Sequence, residues 1–172
     1  MAFRRLIIII YCCVVGLVLS QDESTRGPQS PIDQVFAPPP PSGCRAGFTV
    51  RKAETRNLLR RQKLRFQDVL TNTGGWSQSS SDFRAPCSGV YYFSFHAVSV
   101  QRGDFTLALM KNNVYQVTAY GSDDDYQQGS NSALLVLRRG DRVHLELQDG
   151  KIYEHPFNEA YTTFSGFLVE RF

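Results

Sequence analysis

The sequence contains no apolar run long enough to cross a bilayer as a helix. Its most apolar stretch, Leu6 to Leu19, has about fourteen residues, and spanning ~30 Å of hydrocarbon takes roughly 20. No transmembrane segment is therefore expected. Histidine is scarce, with only His96, His144 and His155 present. None lies in a nucleophile elbow or a zinc-ligand pair, so no motif supports an enzyme. Gly27 and Gly43 belong to no Gly-X-Y period, which argues against a collagen stem. Asn-x-Ser/Thr acceptors for N-linked glycan are absent. The formal charge is only +3, too small to point to nucleic acid in a chain without a nucleic-acid motif.

What is present begins at the N-terminus. Arg4 and Arg5 precede the apolar run, and Val18 and Ser20 supply the small residues of a cleavage site. Residues 1–20 thus read as a secretory signal peptide. Its removal lowers the charge to +1 and takes away Cys12 and Cys13, leaving Cys44 and Cys87. Two thiols bound for an oxidising compartment predict a disulfide, within one chain or between two. Closed within one chain, that loop stabilises the fold by ~4 kcal/mol on the chain-entropy view.

Residues 21–45 read as a disordered, proline-rich linker. They are mostly polar, lack periodic hydrophobicity, and carry the run Pro38 to Pro41, which favours a stiff polyproline II rod. From residue 46 to 172 the composition changes. Short alternating or β-rich runs cover 48–51, 90–100, 105–111, 114–119, 133–137, 142–147 and 161–169, with Gly, Asn, Asp and Ser between them. This is the strand-and-turn signature of an all-β sandwich or barrel. Only 53–68 has any helical reading, and its sparse apolar positions make no stripe.

Residues 83–96 read FRAPCSGVYYFSFH, residues 130–141 SNSALLVLRRGD, residues 161–169 YTTFSGFLV and residues 66–75 FQDVLTNTGG. In their order and spacing these resemble the globular head of complement C1q and its relatives, the cerebellins among them, over residues 46–172. The resemblance implies a ten-strand jelly-roll β-sandwich, shared with tumour necrosis factor ligands, assembled as a homotrimer. It also implies a secreted, non-enzymatic protein that recognises an extracellular protein receptor or glycan, as a signalling or synapse-organising ligand does. An innate pattern-recognition lectin for microbial surfaces and a structural matrix component are the alternatives.

Several residues carry specific expectations. Tyr91, Phe93 and Phe95 alternate with Tyr92, Ser94 and His96, so one strand face is aromatic. Phe93, Phe95 and Phe167 are expected in the core, Tyr91 and Tyr161 at a trimer contact. Gly166, lacking Cβ, is expected to admit another backbone. Asp123, Asp124 and Asp125 form the densest acidic cluster, and an oxygen-only set suits calcium, which relatives bind through acidic loops of this region; a solvated loop is the competing reading. Arg51, Lys52, Arg56, Arg60, Arg61, Lys63 and Arg65 form a basic segment fit for a sulfated glycan or acidic receptor face, unless the charges scatter.

Overall fold

The computed structural model describes residues 43–172; the expected leader and nearly all of the linker lie outside the described residues. Twelve strands follow in order: β1 Gly47–Ala53, β2 Gln62–Lys63, β3 Phe66–Gly74, β4 Trp76–Ser77, β5 Asp82–Arg84, β6 Gly89–Ser99, β7 Phe105–Lys111, β8 Val114–Gly121, β9 Gln128–Leu137, β10 Arg142–Gly150, β11 Ile152–Tyr153 and β12 Thr163–Arg171. All pairings are antiparallel and fall into two sheets. In the first, β6 pairs with β9, β11 and β12, and the sheet continues from β12 through β1 to β3. The second runs β4-β5-β10-β7-β8, with β2 also on β10. Two stacked sheets with non-consecutive neighbours make the expected jelly roll.

Every stretch read as a strand forms one, with shifted ends. No helix occurs among the described residues, in keeping with the absence of an apolar stripe over 53–68. Asn57 and Arg61 there adopt φ of 61° and 57°, left-handed positions that interrupt a helix. Leu64 and Phe66 instead drop into the core, and the Leu64 amide donates to the Leu145 carbonyl at 2.9 Å.

The core follows from period-two alternation. Along β6 the odd residues from Tyr91 to Ser99 are buried and the even ones half-exposed. Phe48 stacks on Trp76 with ring centroids 4.8 Å apart and meets the edge of Phe164 at 4.9 Å. Phe83 packs edge-on against Phe93 at 5.6 Å. Each such ring buries enough apolar area to contribute ~1.5–3 kcal/mol.

Phe93 and Phe95 are in the core as expected, but two other aromatic expectations are overturned. Tyr91 is fully buried and Phe167 is 49% exposed. Parity explains both: Tyr91 shares the inward face of β6 with Phe93, whereas Phe167 lies three residues from the inward Phe164 and so points the other way. The Tyr91 hydroxyl donates to the Cys87 carbonyl at 2.8 Å, and burial raises its pKa above the ordinary phenol value. Gly166 faces rings rather than backbone. A Cβ there would lie 2.5 Å from Phe93 and 2.8 Å from Phe48.

Cys44 and Cys87 are bridged within the chain, with Cα atoms 6.4 Å apart and a sequence separation of 43. The bridge ties the segment entering β1 to the turn before β6.

Candidate functional site: an apolar sheet face and a distal groove

The outward side of the first sheet is graded along its strands. Near the chain-terminal end, cross-strand register places Leu134 beside Tyr92 and Tyr92 beside Phe167. The Tyr92 and Phe167 rings stand 5.5 Å apart. Val136 pairs with Val90 in the next row. Leu134, Val136 and Val169 are 62%, 59% and 54% exposed. The following row is hydroxylic, Ser132, Ser94, Ser165 and Thr49, with Thr49 and Ser165 hydroxyls hydrogen-bonded at 3.0 Å. Beyond it come His96, Thr163 and Arg51, the last paired with Asp68 at 3.2 Å. The adjoining edge strand β8 exposes Val114, Tyr115 and Tyr120.

At the distal end the face opens into a groove of about 870 Å³. His96, Val98, Gln128 and Thr163 line one side, and Tyr126, Tyr153 and Tyr161 the other. Tyr153 meets Tyr126 edge-on at 4.9 Å and stacks on Tyr161 at 5.7 Å. Tyr126 holds φ at 55°, a left-handed conformation that is strained for an aromatic residue. The wall is pinned by Glu154, whose carboxylate accepts the backbone amides of Ala53 at 3.1 Å, Tyr161 at 2.6 Å and Thr162 at 3.1 Å. The Tyr161 hydroxyl donates to Glu159 at 2.6 Å, which raises its pKa. Aromatic faces with a few oriented polar groups suit a ligand that stacks while accepting hydrogen bonds.

Asp123, Asp124 and Asp125 sit exposed in the β8–β9 loop. Among the described residues no three His, Cys, Asp or Glu side chains gather as a cation site. The basic segment is divided between the sheets, since β1 carries Arg51 and Lys52 in the first and β2 carries Lys63 in the second. Arg60 pairs with Asp149 at 3.3 Å and Lys63 with Asp82 at 3.2 Å. Lys52 donates to the Phe157 carbonyl and Arg65 to that of Ser79; Arg56 and Arg61 are exposed. The seven charges therefore do not share one face. Tyr161 is 37% exposed and lines the groove.

The apolar face was readable in principle, because strand parity separates Tyr92 and Phe167 from the core. The Tyr126–Tyr153 wall had no such signal: it joins the β8–β9 loop to the short strand β11, distant in sequence.

A family model described as the C1q domain matches residues 47–169. The globular domain of zebrafish complement 1qA protein superimposes with a TM-score of 0.62 at 28% identity, covering 74% of this chain and 99% of that one. Murine APRIL at pH 8.0 superimposes with a TM-score of 0.54 at 11% identity, covering 73% and 100%, a likeness of fold.

Proposed function

The chain belongs to the C1q domain family, and from that premise we propose that it acts outside the cell as a non-catalytic homotrimeric module that binds a cell-surface protein receptor or glycan. The carrying observation is the contiguous apolar face of Leu134, Tyr92 and Phe167. Three large apolar side chains held side by side in water mark a surface meant to be covered. A three-fold ring needs two different surfaces per copy, because only a heterologous contact closes it. The sheet face is one, and the β8 edge with Val114, Tyr115 and Tyr120 is the other. An intrachain disulfide fits an oxidising, extracellular setting.

The tyrosine groove adjoins this face, so assembly brings three copies of it to one distal end. A weak site repeated three times gains by avidity. Calcium has no part in this reading.

The test compares wild type with Leu134→Asp for binding to intact cultured cells, before and after trypsin treatment, and to fixed bacteria. Trypsin-sensitive cell binding that falls about a hundredfold or more in the variant supports a trimeric receptor ligand, and trypsin-resistant binding with the same fall a glycan. Preference for bacteria would favour the lectin, and recovery in insoluble matrix the structural protein. Equal binding by a monomeric variant would overturn the avidity mechanism.

A further inference from the structure

A second cleft lies away from the apolar face, between the β4–β5 hairpin and the turn joining β9 to β10. It measures about 660 Å³, and Trp76, Arg84 and Arg139 line it with the backbone of Gly75 and Gly140. No carboxylate lines it. Arg84 stands directly opposite Arg142 across the β5–β10 pair, a like-charge juxtaposition that destabilises a sheet unless an anion intervenes. The two carboxylates at hand are already engaged. Asp82 serves Lys63 at 3.2 Å and Arg142 at 3.5 Å. Asp141 accepts from Asn112 at 3.0 Å and from the Arg138 amide at 3.0 Å, and pairs with Lys111 at 3.4 Å. Arg84 and Arg139 are exposed, and neither has an acidic partner among the described residues. Of the six cations Lys63, Arg84, Lys111, Arg138, Arg139 and Arg142, only Lys63, Lys111 and Arg142 form ion pairs with Asp82 or Asp141.

The turn that presents Arg139 is held rigidly. The Arg139 amide donates to the Ser88 hydroxyl at 3.2 Å, Gly140 to the Ala85 carbonyl at 2.8 Å, and Ala85 back to the Asp141 carbonyl at 2.9 Å. Gly140, at φ 95°, brings no side chain between the arginines, and a Cβ built on it would lie 3.9 Å from the Arg84 guanidinium. Arg84 and Arg139 line one cleft, and a guanidinium fork can grip a tetrahedral oxyanion through paired N–H donors.

We propose that this cleft binds a sulfo group of a sulfated polysaccharide, with Arg84 and Arg139 as its ligands and Arg138 and Arg142 extending the track along the chain. The choice of a polysaccharide rests on the extracellular reading above; the anion site itself rests on the arginines alone.

The test uses the secreted full chain on immobilised heparin at physiological salt. Its arms are wild type, Arg84→Ala/Arg139→Ala, Arg84→Lys/Arg139→Lys, and Arg56→Ala/Arg61→Ala as a charge-matched control. The expected result is at least about a tenfold loss for the double alanine variant, a several-fold loss for the lysine variant, and little change for the control. Loss in the control but not at Arg84 and Arg139 would overturn the proposal. So would a lysine variant equal to wild type, since that reports bulk charge. Binding of inorganic sulfate without heparin binding would mark a small-anion site and equally overturn it. Mass in solution, followed in parallel, separates failure of the cleft from failure of the trimer, because the arginine dependence is readable in a monomer.

Discussion

The rings of Tyr92 and Phe167 face each other across the β6–β12 pair, 5.5 Å between centroids, on the side of the sheet turned away from the core. Phe167 is 49% exposed, so an isolated copy gains little from it. Phe167→Asp should therefore leave the melting temperature of a lone domain nearly unchanged, within about 0.5 kcal/mol of stability, while reducing the assembled mass to that of one chain. Light scattering and a thermal scan on the same sample check both halves. A variant that unfolds instead would place Phe167 in the core's service.

Gly166→Ala should destabilise by about 1–3 kcal/mol. Its new Cβ falls 2.5 Å from the Phe93 ring and 2.8 Å from Phe48, and both rings are locked among other aromatics. Gly43→Ala is the control, because a Cβ added there meets nothing within 4 Å. Urea midpoints read the difference, and equal midpoints would contradict the packing described.

Acidification should weaken the fold through His144. This side chain is 3% exposed on β10, opposite Met110 on β7 and 3.8 Å from Glu146. Burial first, then Lys63 on β2, lowers its pKa below the ordinary 6.5, against the opposing pull of Glu146 and of Asp82 on β5. A lowered folded pKa means that the unfolded chain takes up the proton first. The stabilising contribution is complete above about 6.5 and is lost as the pH falls from there through the folded value. Asp141, whose carboxyl Asn112 holds below the ordinary 3.8, acts only at more acid pH. Stability measured from pH 7.5 to 5 should decline in wild type and flatten in His144→Gln. Parallel curves would refute the assignment.

Reduction of Cys44–Cys87 should cost about 4 kcal/mol, seen as a melting temperature lower by on the order of 10 °C at fixed protein concentration. Because the bridge lies within one chain, the assembled mass should not change.

Chelation should alter neither mass nor melting temperature. Asp123, Asp124 and Asp125 are exposed, no three ligating side chains gather among the described residues, and carboxylates screened by water gain little from a cation. A calcium-dependent rise of several degrees would restore them as a cation site.

Much of the fold was legible because alternation is strong where a strand has one buried face, as along β6. It failed at β3, which is exposed at nearly every position and so shows no period to read. Parity alone distinguishes Phe167 from Phe164, whereas aromatic identity alone points both to the core. The disulfide partners were evident once the leader was set aside, but not whether the bridge was internal. The groove and the Arg84–Arg139 cleft were not legible, since each joins segments distant in sequence that only the fold brings together. The basic run of 51–65 shows the reverse relation: neighbours in sequence, its charges part between two sheets.

The most direct test of the central claim is the mass of the secreted wild-type protein in solution, by light scattering after size exclusion, at micromolar concentration with and without reductant. A non-covalent homotrimer gives about three chains in both conditions. A single-chain mass in both would contradict it, leaving the Leu134–Tyr92–Phe167 face without its partner.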